Sequence, residues 1–193
     1  MPSLPHELAH AHLNVTLALI LGGMNLVEEI DFLANAHVYS GGHTKRPDQS
    51  YIPSVLPAGR SGVWPSVVIE TGYPERSARW WLEESRGDVR AVISVSVHQK
   101  MRKITLTHWQ AVPPRRPTRA TAGQLVAQGT QEVVITQEDK DSPIEVTNGP
   151  FVVPFSSFFL RDATPGTAEK DIEWSVDSLK LLARKVWAKH PNV

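Results

Sequence analysis

Pro65-Ser66-Val67-Val68-Ile69-Glu70 is the stretch that decides the fold. Its middle is β-branched and carries no charge, which is typical of a strand that is covered on both faces of a sheet. The stretch ends on an acidic residue, Glu70. A second acidic residue, Asp48, lies upstream in Arg46-Pro47-Asp48-Gln49, where a Pro-Asp turn precedes another predicted strand over residues 50–54. If the two strands are neighbours, both carboxylates meet at one edge of the sheet.

The composition is that of a globular protein with balanced charge. The chain has 193 residues, of which 41% are hydrophobic and 21% charged, enough for one core of ordinary size or a core with an appendage. Lys and Arg together number 20, as do Asp and Glu, so the net charge gives no reason to expect nucleic-acid binding, and only a local patch would support it. The chain has no cysteine, which excludes disulfides and cysteine-ligated zinc.

We expect an intracellular protein, cytoplasmic or nuclear, that is not secreted and has no membrane partner. The N-terminus lacks the basic segment of a signal peptide. The apolar run over residues 17–21 is far shorter than the ~20 residues that a membrane-spanning helix needs. The absence of cysteine agrees with a reducing compartment.

The order of the predicted elements favours the α/β (α+β) class. Helices are predicted over residues 6–23, 25–33, 74–85 and 176–188, and strands over residues 36–39, 50–54, 67–71, 89–97, 103–109, 131–136 and 144–147. In the first helix, Leu8, Ala11, Val15 and Leu19 share an apolar face, which Leu13, Leu17 and Leu21 widen. A helix, strands, a central apolar strand, a helix and a hairpin of two more strands predict a mixed β-sheet flanked by helices.

A basic, proline-rich segment divides the chain. It contains Pro113, Pro114 and Pro117 together with Arg115, Arg116 and Arg119. Such a segment is extended and breaks regular structure. We therefore predict a core over residues 1–112, a connector over residues 113–123, and a β-rich C-terminal extension over residues 124–193 that ends in a helix. The extension should pack on the core through its apolar run 151–160, giving one compact domain overall.

Asp48 and Glu70 are the residue types that a divalent metal ion needs. Phosphodiester hydrolysis is helped by a hard cation that polarises the phosphate and lowers the pKa of the attacking water. Mg²⁺ takes oxygen ligands, typically including one or two carboxylates, and Mn²⁺ can substitute for it. Glu28 or Glu29 on the preceding predicted helix could supply a further ligand. The alternative is structural, because Pro-Asp is a common turn and a Glu at a strand end is often only solvated.

The stretch from Arg46 to about Trp109 resembles the Uma2-type family of restriction-endonuclease-like proteins, and most closely its single-domain fungal members. The matching segments are Arg46-Pro47-Asp48 and residues 65–72, 78–82, 87–93 and 104–109. The resemblance implies a PD-(D/E)XK nuclease core with a restriction-endonuclease-like mixed sheet. It further implies that Asp48 and Glu70 hold Mg²⁺, that DNA is the substrate, and that a homodimer is an open alternative to a monomer.

The chain departs from the family motif at the lysine. The resemblance places a lysine two residues after the glutamate, where this chain has Gly72. That lysine would position the water and stabilise the developing charge. We predict that Arg79, on the following helix, replaces it, since a basic residue migrates to another element in some members of the superfamily. Without a replacement, the same fold would serve as a catalytically inactive binding or oligomerisation module.

Two groups of cations are candidate phosphate contacts. Lys45 and Arg46 precede Asp48 directly, and Arg115, Arg116 and Arg119 lie in the connector. Extended arginine-rich segments neutralise phosphate backbones well. The alternative for both groups is a solvated surface.

His6-Glu7-Leu8-Ala9-His10 is a competing metal motif. On a helix, His6 and His10 fall on one face, where they can bind Zn²⁺, and Glu7 would be the general base of a metalloprotease. A third ligand would come from His12 or from a carboxylate of the next predicted helix. Because the motif lies in the first turn of the helix, where ends fray, an exposed polar helix start is the alternative.

Overall fold

The computed structural model describes residues 4–72, 74–114 and 125–190. The helices in these ranges are α1 (Leu4–Gly23), α2 (Pro74–Glu84), α3 (Phe155–Phe159) and α4 (Val176–Trp187). The strands are β1 (Ile30–Phe32), β2 (Val38–Ser40), β3 (His43–Lys45), β4 (Gln49–Pro53), β5 (Val67–Thr71), β6 (Ala91–Val97), β7 (Lys103–Val112), β8 (Val126–Thr136), β9 (Glu145–Thr147), β10 (Phe151–Val153) and β11 (Ile172–Trp174).

A seven-stranded mixed sheet organises these elements, in the order β1-β4-β5-β6-β7-β8-β9. Strands β5 and β6 are parallel, with α2 as the crossover between them, and the other neighbouring pairs are antiparallel. Two separate two-stranded pairs, β2-β3 and β10-β11, complete the described strands. The expected α/β (α+β) class, a mixed β-sheet flanked by helices, is confirmed, as is the antiparallel hairpin of β6 and β7.

The central strand β5 is buried on both faces of the sheet, which explains its unbroken apolar run. Val67 and Ile69 join the larger core, which also contains the buried faces of α1 and α4. Val68 points to the other face and joins a smaller cluster beneath α2. Since side chains alternate along a strand, Glu70 follows Val68 onto the α2 face.

Helix α1 has two rows of apolar side chains along its length, and only one of them is buried. Ala9, Leu13, Leu17 and Leu21 recur every four residues and are fully buried in the larger core. Val15 and Leu19, which the sequence placed on the core face, are exposed, because the sheet and α4 cover the adjacent stripe of the helix instead. Although α1 is 20 residues long, no helix within the described ranges combines the length and apolarity needed to cross a membrane.

The helix predicted over residues 25–33 is wrong. Val27–Glu29 forms a single 3-10 turn, after which the chain enters β1. Asn25 has a left-handed φ of 59°, which ends the helical path directly after α1. Ile30–Phe32 then pairs with residues 51–53 of β4, so sheet pairing overrides the local helical propensity.

The sheet continues on both sides of the predicted connector. Strand β7 reaches Val112, and β8 pairs with it antiparallel along its whole length. The apolar run 151–160 docks as expected, with Phe151, Phe155, Phe158 and Phe159 buried in the larger core. Residues 115–124, and with them Arg115, Arg116 and Arg119, lie outside the described residues, and the exact domain boundaries stay a prediction.

Leu17 and Leu19 form a matched pair for testing the face that α1 buries. Leu17 is fully buried, whereas the relative exposure of Leu19 is 72%. We expect Leu17→Ala to lower the free energy of unfolding by about 2–5 kcal/mol, because it removes buried methyl groups and leaves a cavity. Leu19→Ala should change it by less than about 0.5 kcal/mol. Urea denaturation followed by circular dichroism measures both, and equal losses would contradict this orientation of α1.

His108 is a buried titratable group on β7. Its Nδ1 lies 3.1 Å from Thr130 Oγ1, and it shares the core face of the strand with Ile104 and Leu106. Burial lowers the pKa of His108 to about 4. The His108 side chain is therefore neutral in the folded protein at neutral pH. Between pH ~6.5 and ~4, His108 is protonated in the unfolded chain but stays neutral in the folded protein.

We expect this histidine to make the protein less stable in mild acid. As the pH falls from ~6.5 to ~4, the unfolded state gains a proton that the folded state does not, so the free energy of unfolding falls, by up to ~3 kcal/mol. His108→Gln cannot titrate and should show a flatter pH dependence over the same range. Urea midpoints measured at several pH values test this, and parallel curves for both proteins would refute it.

Candidate functional site

Asp48 and Glu70 come together at one end of the sheet. Strands β4 and β5 are antiparallel with Gln49 opposite Ile69, so the residue before β4 meets the last residues of β5. The Asp48 backbone N–H donates to the Ile69 carbonyl at 3.2 Å. Asp48 Oδ2 accepts hydrogen bonds from both the backbone N–H, at 2.6 Å, and the hydroxyl of Thr71. The arrangement that the sequence suggested for these two residues is therefore present.

The Glu70 carboxylate is buried beneath α2 and has two partners there. Trp81 Nε1 donates to Glu70 Oε1, and Lys45 Nζ lies 3.3 Å from the same oxygen. Only 9% of the Glu70 side chain is exposed. Burial raises the pKa of Glu70 above its ordinary value; Lys45 and the Trp81 hydrogen bond oppose this rise, and the charge of Asp48 adds to it. Glu70 is thus an acid in a confined, electrostatically coupled site.

Lys45 reaches this carboxylate from the β2-β3 hairpin. Its side chain is 23% exposed and also donates to the Ser77 carbonyl at 3.3 Å. Its Nζ lies 5.3 Å from the centre of the Trp81 ring and 5.5 Å from that of Trp80, within the range of a cation–π contact. Burial lowers the pKa of Lys45, and the charge of Glu70 opposes that shift. The sequence suggested Lys45 as a cation next to Asp48 and as a phosphate contact, but its pairing with Glu70 was missed.

Trp80 and Trp81 lie beside the Lys45 ammonium, and Trp64 packs against both of these rings. Trp81 packs edge-on against Trp80 at 4.8 Å and against Trp64 at 6.1 Å between ring centres, and Trp64 and Trp80 lie 5.6 Å apart. Such contacts are each worth roughly 0.5–1.5 kcal/mol beyond the area they bury. The rings therefore hold the α2 face of the site in one arrangement around the Lys45 ammonium.

Arg79 does not join the carboxylates. Its side chain is 60% exposed and lies 3.4 Å from Glu75 and 3.8 Å from Glu83 along the outer face of α2. Ala78 and Trp81 occupy the buried face, and a helix turns by about 100° per residue, which directs Arg79 away from the sheet. The cation that contacts Glu70 is Lys45. Arg79 does not lie at the site, so the prediction that it replaces the motif lysine is not supported by its position.

Gly72, which stands where the resemblance places a lysine, has a backbone conformation that favours glycine. Its φ is 112°, a region that residues with a Cβ rarely adopt. The chain needs this conformation to leave β5 and begin α2 two residues later. A lysine at this position would be strained whatever space surrounds it.

Glu28 and Glu29 lie at the other end of the sheet. Ser54, directly after β4, donates its backbone N–H to the Glu29 carbonyl at 3.0 Å, whereas Asp48 lies directly before β4. At about 3.3 Å per residue, the strand separates the two ends by ~20 Å. Glu29 instead pairs with Arg161 at 3.3 Å. The expectation that either glutamate assists the Asp48–Glu70 pair is therefore wrong.

Two carboxylates remain at this end of the sheet, and carboxylate oxygens are ligands of the kind that Mg²⁺ takes. Within the described ranges, no group of three or more His, Cys, Asp or Glu side chains is arranged to hold a metal ion. Asp48 and Glu70 are two carboxylates, and the described hydrogen bonds and ion pairs use Asp48 Oδ2 and Glu70 Oε1 but not their second oxygens. Mg²⁺ commonly takes one or two carboxylates and fills its other positions with waters and phosphate oxygens.

Two residues of the histidine motif in α1 interact with each other. His10 Nε2 lies 2.9 Å from Glu7 Oε2, and His10 is buried against the core. In the part of the chain that the structure describes, no third ligand joins them. The zinc hypothesis gains no support from this arrangement.

Comparisons with known proteins do not assign this chain to a family. No family model matches the chain, and no curated protein matches it significantly. A similar solved structure is the crystal structure of a candidate nuclease belonging to DUF820 from Anabaena variabilis ATCC 29413. It shares 12% sequence identity, the alignment covers 95% of this chain and 84% of that chain, and the TM-score is 0.45.

The Lys45–Glu70 pair should be strongly coupled in a double-mutant cycle. Glu70→Gln or Lys45→Met alone leaves a buried charge without its partner, whereas the double variant removes both charges. We therefore expect the double variant to lose less stability than the sum of the single variants, with a coupling free energy of about 1–3 kcal/mol in urea denaturation.

The exposed pair of Arg79 and Glu75 provides a matched control on the same helix. Both side chains are more than half exposed, so solvent screens their interaction. The cycle of Arg79→Met and Glu75→Gln should give a coupling below about 0.5 kcal/mol. A coupling at Lys45–Glu70 as small as this one would show that the buried pair is not held as described.

Proposed function

We propose that this chain is a PD-(D/E)XK nuclease-like protein of the Uma2 type that hydrolyses phosphodiester bonds in DNA with the help of Mg²⁺. One observation carries the proposal: Asp48, Glu70 and Lys45 converge at one end of a mixed sheet. Two carboxylates that can hold a divalent ion, with an ammonium beside them, are the charges that phosphodiester hydrolysis uses. Closeness to the single-domain fungal members is part of the same proposal.

Asp48 and Glu70 would hold the metal through the oxygens that face no described donor. When bound, Mg²⁺ polarises the phosphate and lowers the pKa of a coordinated water. The chain itself orients the two ligands, since Thr71 fixes one oxygen of Asp48 and Trp81 fixes one oxygen of Glu70. Outer-shell hydrogen bonds of this kind position ligands and hold their orientation.

Lys45 would supply the positive charge of the motif lysine, whose position is occupied by Gly72 in this chain. Its ammonium lies beside the Glu70 carboxylate and is held by the tryptophan rings, so little reorganisation is needed when a phosphate arrives. A phosphate oxygen next to the metal would share this ammonium with Glu70, and the charge that develops in the transition state would be stabilised there.

Partner and location follow as parts of the same proposal. DNA is the proposed substrate, and Arg46, exposed beside the site, is an available phosphate contact. The proposed place of action is intracellular, in the cytoplasm or the nucleus. Association into a homodimer stays a prediction.

The same contacts favour a second candidate function, a catalytically inactive binding or oligomerisation module. Thr71, Trp81 and Lys45 already satisfy one oxygen of each carboxylate and compensate the charge of Glu70 without a metal ion. A fold that has lost catalysis retains its stability when buried charges are paired in this way.

A nicking assay on supercoiled plasmid DNA separates the two candidates. We expect cleavage with Mg²⁺ or Mn²⁺ that EDTA abolishes. Asp48→Asn and Glu70→Gln should each remove it, and Lys45→Met should lower the rate by about 10²–10³-fold, the usual effect of losing one group that stabilises transition-state charge. Arg79→Met should cut as well as the wild type, because Arg79 lies on the outer face of α2.

Circular dichroism on each variant ensures that a loss of activity is not a loss of fold. Cleavage that survives both Asp48→Asn and Glu70→Gln would refute the proposed site. A folded wild type that does not cut DNA with either ion would favour the inactive module instead.

A further inference from the structure

A basic groove lies where α4 meets the turn between β8 and β9. Its volume is about 750 Å³. The charged side chains in its lining are Arg102, Lys140, Lys180 and Arg184; His190 also lines it, and no Asp or Glu is among the lining residues. The whole chain carries as many acidic as basic residues. The groove is therefore a local concentration of positive charge that the net charge conceals.

Three of these cations are available for a ligand. Within residues 4–72, 74–114 and 125–190, the ion pairs do not include Lys140, Lys180 or Arg184. Lys180 and Arg184 are four residues apart on α4, so they lie above one another on the same side of the helix.

Arg102 gives the groove a fixed cation. Its guanidinium donates to Gln137 Oε1 at 2.9 Å and lies 5.7 Å from the centre of the buried Trp187 ring. An adjoining concavity of about 630 Å³ adds Lys100 and Lys103, together with Glu138 and Glu145. Acidic side chains also border the groove, because Asp139 and Asp141 flank Lys140 in the exposed turn after β8. The positive charge of the groove is therefore concentrated on α4, at Lys180 and Arg184.

The groove lies at the same end of the sheet as the Asp48–Glu70 pair. Strand β6 runs parallel to β5, with Glu70 opposite Ser94, so the turn after β6 and the turn after β8 emerge at this end. From β5 to β8 there are three strand spacings, a lateral distance of ~15 Å. The groove approaches this end from the α4 side, and the carboxylates face α2.

We propose that this groove binds the sugar-phosphate backbone of a nucleic acid and guides it towards the carboxylate pair. Phosphates repeat every ~3.4 Å along one strand of a duplex, so ~15 Å corresponds to about four phosphates, within reach of one bound molecule. Lys180 and Arg184, one turn apart on α4, and Arg102, which lines the same groove, form a row of cations that suits a rod-like polyanion. The inference rests on the proposed function for the identity of the polyanion, but binding needs neither the metal ion nor Asp48 and Glu70.

Fluorescence anisotropy with a labelled DNA duplex, in EDTA so that nothing is cut, tests the groove. We expect the double variant Lys180→Ala/Arg184→Ala to bind about tenfold more weakly than the wild type. The slope of log affinity against log salt, measured from roughly 50 to 200 mM, should become shallower by about two, one for each lost phosphate contact. Lys140→Ala, in an exposed turn, should weaken binding in the same direction without changing α4.

Lys170→Ala is the matched control, because Lys170 is exposed and lies outside the groove. It should bind as the wild type does. Unchanged affinity in both groove variants, or an equal loss in Lys170→Ala, would overturn the proposal. So would groove-dependent binding to phosphatidylserine vesicles without binding to DNA, since the partner would then be a membrane.

Glu70→Gln separates this inference from the proposed function. A variant that binds DNA normally but does not cut supports the groove and the metal site together. Groove-dependent binding by a wild type that never cuts supports the groove and refutes only the nuclease. Cleavage that is indifferent to the groove variants refutes the groove and leaves the nuclease standing.

Discussion

The buried Glu70 carboxylate is the constraint on which the α2 side of this protein depends. A carboxylate that is 9% exposed is costly unless donors surround it. Trp81 supplies one donor from α2, and Lys45 supplies a positive charge from the β2-β3 hairpin. The hairpin therefore has to fold over α2, and Val38 at its start is accordingly buried in the cluster beneath that helix. One acidic residue at the end of a strand thus fixes the position of two other elements.

Gly72 is the backbone counterpart of this constraint. The chain must turn sharply after β5 to begin α2, and it does so at a φ that favours glycine. The conformation that allows this exit also excludes a lysine side chain from the position next to Glu70. Lys45, arriving from a hairpin outside the main sheet, meets Glu70 from across the site. The turn at Gly72 therefore has a glycine backbone conformation, and the cation beside Glu70 is Lys45 of the β2-β3 hairpin.

Local pattern predicted the parts that depend on neighbours in sequence, and failed where distant segments decide. The run Val67–Ile69 and the acidic residues at two strand ends were sufficient to predict the central strand and the meeting of Asp48 with Glu70. Arg79 was misjudged because helical spacing alone does not say which face the sheet covers. The pairing of β1 with β4 turned a predicted helix into a strand and carried Glu29 to the far end. Lys45 and Glu70 are separated by β4 and by the long loop that follows it, and no spacing rule connects them.

The distribution of charge explains how a chain with no net charge can present a surface to a polyanion. At the carboxylate pair, opposite charges are placed within a few ångströms, where burial makes each depend on the other. In the groove, the cations Lys180 and Arg184 lie along α4, and Lys140 lies between Asp139 and Asp141 in the turn after β8. Water and salt screen the repulsion between the like charges there. Attraction at long range needs unpaired charge, and chemistry at short range needs paired and oriented charge. The two sets of charges lie on opposite faces of one end of the sheet.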